Sequence, residues 1–596
     1  MKNKKLFIIP IIAMAIASCG SKPSASSINP ISSEQAPISS ETTSSQEEPS
    51  SAVVSSSENV SSVASSSFVS SSEKSSSQAE SSNEEVSSSE QFSSSEQFSS
   101  SEQISSSEQQ SSSEVISSSE ISSSSEQPSS SSQAPSSSSS SSSSQAPADN
   151  FVNLELFAIN DFHGNVKDSD SGIGISKTST LLKTYPDNVN NALYVSQGDM
   201  WQGGAESNVT KGKLVNDWMN QVEFTSMTVG NHEFDWKTSS LKSNSQLANF
   251  PYLGINVFDR TTNQRVDYLD ASTIVNKNGA KIGIIGAIGD CYSSISSSCV
   301  SDVYFKVGYD LTSLVKQEAI RLKNEEQCDF VIYSLHDDDT DYNIELSNYV
   351  DIVFEGHTHQ NYIRQDSKGI YHIQGAGYNK SIGYVNLTIN TTKDTFVINR
   401  TASIYTSNYS NLSADAEAES LFTKYASDIN SMYVPLGYNA YKRTSTTLRR
   451  LVAKLYLQHG QQAWGSRYNI FLGGGYLSVR SPYNLEEGDV TYADLYTLFP
   501  FDNSLVLCSI KGSDLDSKFV NTTNSNYYVS YSDYGEENRY TIDDNATYYV
   551  IVDTYTSDFS SNNLTVIDIY DPPVYYARDM LADFARDGSF MEYYVY

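Results

Sequence analysis

Five apolar runs in this chain each end in a short polar cluster, and that repeated pairing restricts the fold more than any other feature. Residues 154–160 alternate in polarity and lead into Asp161, Phe162, His163, Gly164 and Asn165. Residues 192–195 lead into Gly198 and Asp199, and residues 224–229 into Gly230, Asn231, His232, Glu233, Phe234 and Asp235. Residues 329–333 lead into Leu335, His336 and Asp337, and residues 351–354 into Gly356, His357, Thr358 and His359. Short apolar or alternating runs bounded by turn residues read as strands. Strands that deliver polar side chains at their carboxyl ends are the way open α/β sheets bind ligands. Gly198, Gly230 and Gly356 permit the sharp turns that aim those side chains inward.

The chain holds seven histidines, and five of them fall in these clusters. A single histidine at a strand end is ordinarily a surface or core residue, but five clusters of this kind are hard to explain so. Asp161 with His163, and His357 with His359, have a two-residue spacing that lets both side chains of a loop converge on one ion. Oxygen and imidazole ligands without thiolate suit Mn, Zn, Fe, Co or Ni better than a pure Ca site or a structural Zn site. Seven or eight ligands are too many for one ion, so two ions sharing Asp199 is the economical arrangement. Two ions about 3.5–4 Å apart are the usual arrangement for hydrolysing phosphate esters.

The series Asp-Phe-His-Gly-Asn, Gly-Asp, Gly-Asn-His-Glu-Phe-Asp, His-Asp and Gly-His-Thr-His, in that order over residues 154–390, resembles the calcineurin-like metallophosphoesterases. More closely it resembles the secreted bacterial 5′-nucleotidase family, and Gly375-Ala-Gly377 with Gly383 is similar to that family's glycine-rich close. The resemblance implies an α/β (α+β) chain: a four-layer α/β/β/α metallophosphoesterase sandwich joined by a helix to a smaller α+β C-terminal domain. It also implies roles. Asp161, His163 and His359 would hold one divalent ion, Asn231, His336 and His357 a second, and Asp199 would bridge both. His232 would act on the substrate with Asp235 orienting it, while Glu233 would be structural. His372 and His459 read as ordinary residues.

After Tyr405 the pattern changes. Residues 414–433 carry Leu421, Phe422, Tyr425, Ile429 and Tyr433 at helical spacing, with Ser413 and Asp415 as caps. This predicts a linker helix within residues 406–438, between a catalytic domain at 151–405 and a second domain at 439–596. The segments 469–475, 488–503 and 512–515 resemble the 5′-nucleotidase C-terminal domain, which supplies substrate specificity in that family. Phe501, within Pro500-Phe501-Asp502-Asn503, matches one aromatic of a base-stacking clamp. Two departures weaken the substrate assignment. The arginine that usually follows the paired glycines is either lost or moved to Arg480, and the usual ending with the second clamp aromatic is missing. Tyr555 and Phe559 are the candidates to replace that aromatic, and Arg443, Arg449 and Arg450 are further anion contacts that cannot be aligned.

Residues 1–150 are of another kind. Lys2, Lys4 and Lys5 precede an apolar stretch over residues 6–16, too short to span a membrane. With Ala17, Ser18 and Cys19 it resembles a bacterial lipoprotein signal, in which Cys19 becomes the lipidated first residue of an extracytoplasmic protein. The alternative is an ordinary secretory signal with an incidental cysteine. Residues 20–150 are mostly Ser, Glu and Gln, with Glu90, Glu96, Glu102, Glu108, Glu114 and Glu120 recurring every six residues. Such a segment has too little apolar surface to fold and predicts a disordered tether. It holds 17 acidic and 2 basic residues; the formal charge of the whole chain is −33. An acidic balance argues against a partner of duplex nucleic acid, which needs a basic face. Cys291, Cys299, Cys328 and Cys508 form no zinc pattern. Cys291 and Cys299 can be bridged or can be thiols.

The expectation is therefore a tethered, monomeric phosphohydrolase with two divalent ions and a nucleotide substrate, serving nucleotide scavenging. UDP-sugar hydrolase, 2′,3′-cyclic-nucleotide phosphodiesterase or nuclease activity on the same metal core are alternatives. A non-catalytic surface nucleotide-binding or adhesion protein is the rival from another class.

Overall fold

The computed structural model describes residues 148–592 apart from 170–171, 338–341, 481 and 571–574. The export signal and the tether lie outside the described residues. Two six-stranded sheets build the first domain. In one, the strands Phe151–Ile159, Ala192–Ser196, Ser226–Thr228 and Tyr252–Leu253 run parallel, with Ser381–Asn390 and Thr395–Tyr405 antiparallel at one edge. In the other, Tyr371–Gln374, Ile352–Glu355, Phe330–His336 and Ala280–Ile288 are parallel, flanked by the antiparallel strands Tyr362–Gln365 and Ser272–Lys277.

Alternation along each strand decides how these layers stack, because successive side chains face opposite ways. Leu154, Leu156, Ala158, Leu193 and Val195 meet Ile282, Ile284, Phe330, Ile332, Ile352 and Phe354 in a core between the sheets. Phe157, Ile159 and Tyr194 pack instead against the helices Ile175–Thr184 and Lys213–Val222 through Leu181, Leu182, Leu214 and Trp218. On the far side Ile285, Val331, Tyr333 and Val353 receive Leu311, Val315, Ala319 and Leu322 of the helix Gly308–Asn324. The order is α/β/β/α. Burial on both faces explains why the central strands read as nearly continuous apolar runs.

The predicted linker helix is broken. It runs over Ala416–Lys424, kinks at Tyr425 (φ −100°, ψ 13°), and continues as short turns over Ala426–Ile429 and Asn430–Tyr433. Asp415 caps it, its carboxylate accepting from Glu417 N and Ala418 N at 3.1 Å; Ser413 does not.

The second domain is a five-stranded sheet in the order Tyr527–Tyr531, Ile470–Tyr476, Thr547–Asp553, Leu505–Lys511 and Thr565–Ile569. The helices Ser445–Trp464 and Ala577–Arg586 cover one face through Leu448, Val452, Leu455, Met580 and Leu581. Phe471, Val506, Val550, Val552 and Phe519 form the opposite core. A capping box between Thr491 and Asp494 starts the helix Tyr492–Leu498. That helix stops at Phe499, as the residue before a proline disfavours helical backbone, and Pro500-Phe501-Asp502-Asn503 leaves it as irregular chain.

Candidate active site

The parallel strands of both sheets point their carboxyl ends to one rim, and all five polar clusters meet there. The turns are tight. Asp161, His163, Asp199, His357 and His359 all have left-handed backbone, with φ between 48° and 72°. A non-glycine residue in that region costs free energy and persists only where its surroundings hold it. Here the holders are backbone bonds from Asp161 N to Gly198 O (3.0 Å) and His163 N to Asp199 O (2.9 Å). His357 N donates to both carboxylate oxygens of Asp161 at 3.0 Å. Glycine is required at position 230: a Cβ there would lie 2.3 Å from Asp199 Oδ1 and 2.6 Å from His336 Cε1.

Carbonyl groups fix the histidine tautomers. His163 Nδ1 lies 2.8 Å from Gln202 O, and His336 Nδ1 lies 2.6 Å from Gln197 O. A carbonyl only accepts, so each Nδ1 carries a proton and each Nε2 of the neutral ring offers a lone pair inward. His163 Nε2 then faces His359 Nε2 at 2.9 Å and Asp199 Oδ2 at 3.9 Å. His336 Nε2 faces Asn231 Oδ1 at 3.1 Å and Asp199 Oδ1 at 3.4 Å, and His357 Nδ1 faces the same Asn231 oxygen at 3.0 Å. His359 Nε2 lies 3.4 Å from Asp161 Oδ1. The site thus gathers imidazole nitrogens and the Asn231 oxygen around two buried carboxylates, Asp161 and Asp199, and among the described residues no lysine or arginine pairs with either. A bound cation would offset this buried negative charge, and the donor set fits divalent ones.

The charges agree. Burial, aided by Arg480 and His359, pushes His163 well below its ordinary pKa, and burial with the nearby His336 takes His357 to about 4. Both stay neutral and able to ligate. His336 differs: burial opposes its charge, but Asp199 overcomes this and lifts the group to about 10, so it must release its Nε2 proton to serve as a ligand. Asp161, His163 and His359 converge within ligand reach, as do Asp161, Asp199 and His336; His163, Asp199 and His232 form another such group.

Behind this rim, Glu233 accepts from the backbone amides of Asp199 (2.8 Å), Met200 (2.9 Å) and Gly230 (2.7 Å). It ties two of the polar turns together, a structural place. Burial and the neighbouring Asp199 carboxylate raise its pKa to about 7.

Two family models match the chain where these features lie: calcineurin-like phosphoesterase over residues 155–361 and the 5′-nucleotidase C-terminal domain over residues 438–533. The chain belongs to the calcineurin-like phosphoesterases of 5′-nucleotidase type. It is a metal-dependent phosphoric ester hydrolase. Protein UshA of Yersinia enterocolitica is 25% identical over 429 residues, covering 62% of this chain and 76% of that one. Endonuclease YhcR of Bacillus subtilis is 24% identical over 416 residues, but the chain spans only 33% of its length. A 5′-nucleotidase precursor from Thermus thermophilus shares the fold, with a TM-score of 0.58, 17% identity, and coverage of 73% of this chain and 96% of that one.

The phosphoesterase rim opens into a cavity of about 300 Å³ closed on its other side by the C-terminal domain. Asp199, Asn231, His232, Asp235, His357 and His359 line it from the phosphoesterase domain; Arg480, Phe501, Asn503, Asp553, Tyr476 and Tyr555 line it from the C-terminal domain. His232 Nδ1 lies 2.7 Å from Asp235 Oδ2. Arg480 Nη2 lies 2.8 Å from His232 Nε2 and 3.3 Å from Gln202 Oε1. The Phe501 ring stands 6.0 Å from the His232 ring, centroid to centroid.

Phe559 does not line the cavity. It packs edge-on against Tyr476 (5.5 Å) and Tyr555 (4.9 Å). Arg443 and Arg449 are also elsewhere: Arg443 is buried against Asn439 and Phe590 O, and Arg449 reaches Asn526. His372 is a core residue bonded to Glu355 (2.9 Å), and His459 packs on Tyr575. Cys299 carries a free thiol, so it is not bridged to Cys291.

Several neighbours of the site gave little sign of themselves in the sequence. Asn160 Nδ2 donates to Asp161 Oδ2 at 2.6 Å and to Gly375 O at 2.8 Å. The Tyr378 ring packs on both His163 (5.0 Å) and His359 (5.2 Å). Asn160 adjoins a predicted ligand, which is a usable signal. Tyr378 lies in the glycine-rich close, and only tertiary folding brings it here.

Proposed function

We propose that the chain is a two-metal 5′-nucleotidase that binds a nucleotide between its domains and releases phosphate, exported and tethered by a lipid on Cys19 for nucleotide scavenging. The observation that carries the reading is the single cavity that joins the Asp199 rim to Phe501 and Tyr555. It is of a size for a mononucleotide, with the polar rim on its phosphoesterase wall and the aromatic faces of Phe501 and Tyr555 on its C-terminal wall.

In this reading Asp161, His163 and His359 would hold one ion and Asn231, His336 and His357 the other, with Asp199 as a ligand to both. When bound, the two ions supply positive charge for the phosphoryl oxygens and make water acidic enough to attack at neutral pH. The remaining work belongs to side chains. Asp235 holds the Nδ1 proton of His232 and so aims Nε2 into the cavity. Burial opposes a charge on His232, but Asp235 and Asp199 raise its pKa overall. An entering phosphoryl oxygen takes a hydrogen bond from Arg480 and one from protonated His232, and both strengthen as charge develops. Phe501 and Tyr555 receive the base, a stacking contact being worth about 1–3 kcal/mol.

The test is phosphate release by the full chain with Mn²⁺ from AMP, ATP, UDP-glucose, 2′,3′-cyclic AMP and bis-p-nitrophenyl phosphate, beside Asp199→Ala. Turnover of AMP that Asp199→Ala abolishes supports the reading. Release from the diester alone would favour a phosphodiesterase or nuclease, the reading that the similarity to an endonuclease keeps open. Nucleotide binding without release would leave a binding protein.

A further inference from the structure

We infer that Arg578 is a positioning residue for nucleotide recognition: without lining the cavity itself, it holds the backbone that presents Phe501. The inference rests on the base-stacking role proposed for Phe501. Arg578 lies on the helix Ala577–Arg586 and is 3% exposed. Its Nη1 donates to Phe501 O (2.8 Å), Pro500 O (3.4 Å) and Phe499 O (3.4 Å). Its Nη2 pairs with Asp502 Oδ1, and its Nε donates to Tyr492 Oη at 3.2 Å. The guanidinium is sandwiched by rings, 4.1 Å from the Tyr496 centroid and 4.3 Å from that of Tyr576.

The segment needs such a clip. Residues 500–503 belong to no helix or strand, and among the described residues no backbone amide bonds the carbonyls of Phe499, Pro500 or Phe501. A buried carbonyl without a donor is costly, and one arginine serves all three. Only a planar fork of five N–H groups can serve several carbonyls and a carboxylate together, which a lysine cannot do. The other oxygen of Asp502 meets Lys211 Nζ of the phosphoesterase domain at 2.9 Å. The Phe501 backbone is therefore anchored to both domains, through Arg578 on one side and Asp502 on the other.

The test is a double-mutant cycle of Arg578→Lys and Phe501→Ala, with AMP and with ribose 5-phosphate, which has no base to stack. Arg578→Lys is expected to raise KM for AMP about ten-fold, the equivalent of part of one stacking contact. Its kinetics with ribose 5-phosphate should stay within about two-fold, because distant sites that share no partner act independently. In the Phe501→Ala background its effect on AMP should vanish. An unchanged KM for AMP, an equal loss on both substrates, or additive effects in the double variant would each overturn the positioning role. If Phe501→Ala alone leaves KM for AMP unchanged, the clamp reading falls and the role of Arg578 with it. Should thermal melting show that Arg578→Lys does not fold, Asp502→Asn replaces it in the same cycle. It keeps the three carbonyl bonds, so a smaller rise confined to AMP is expected, and no rise overturns the inference.

Discussion

Arg480 of the C-terminal domain and His232 of the phosphoesterase domain meet at 2.8 Å, guanidinium nitrogen to imidazole nitrogen, at the mouth of the metal-ligand rim. The two residues come from different domains and line the same cavity. Their contact makes His232 and the C-terminal domain parts of one site.

Arg480→Ala should lower kcat/KM for AMP by about ten- to a hundred-fold, the worth of a hydrogen bond to a charged group at about 1.5–3 kcal/mol. Arg480→Lys should recover only part, because an ammonium lacks the planar guanidinium that can hydrogen-bond two phosphoryl oxygens at once. Steady-state kinetics check this, and wild-type values for the alanine variant would remove Arg480 from the site.

His232→Ala should lose about 10²–10⁴ in kcat, the range for a general acid or base, with metal content unchanged. Its nitrogen lies 4.0 Å from Asp199 and within ligand reach of His163, so elemental analysis is the deciding measurement. A variant that loses one ion would make His232 a ligand instead.

Metal removal should abolish turnover and destabilise the protein. Chelation leaves Asp161 and Asp199 buried among imidazoles, with no lysine or arginine paired to either among the described residues. Added Mn²⁺ should restore activity and raise the melting temperature with concentration, as any ligand of the folded state does. A melting temperature indifferent to chelator and to Mn²⁺ would count against an internal metal site.

Gly230→Ala should fold but fail to bind metal, because its methyl group would occupy the space of Asp199 Oδ1 and His336 Cε1. Retained Mn²⁺ stoichiometry by elemental analysis would show that the turn can shift at little cost.

Asp502 should contribute to acid sensitivity. Burial raises its carboxyl pKa, but Arg578 and Lys211 outweigh burial and hold it below the usual range. A depressed carboxyl gives stability that is full above the unfolded value of about 3.9 and lost as pH falls through the folded value. Asp502→Asn should therefore be less stable than wild type at pH 7 and show a shallower decline below about pH 4. Urea unfolding at several pH values measures both, and parallel pH profiles would clear Asp502 of the effect.

How much of this was legible beforehand depended on how local each signal is. The strands before Asp161, Asp199, Asn231, His336 and His357 were readable because alternation and apolar runs are properties of a few consecutive residues. The linker helix was read too long, since periodicity continued through Tyr425 while the backbone turned there. Phe559 and Tyr555 stood four residues apart with equal claims, and only the fold turned Tyr555 to the cavity and Phe559 against its neighbours.

By itself the sequence determined the strands and the set of polar turns at their ends, because side-chain alternation and glycine-permitted turns act within a strand and its end; the α/β/β/α layering came with the family resemblance that those turns carry. Only the tertiary structure decided which acceptors face one another across the two sheets, that Arg480 meets His232, and that Arg578 holds the Phe501 backbone. Those contacts join residues 77 to 248 positions apart. Their partners are chosen by packing in three dimensions, which no local pattern records.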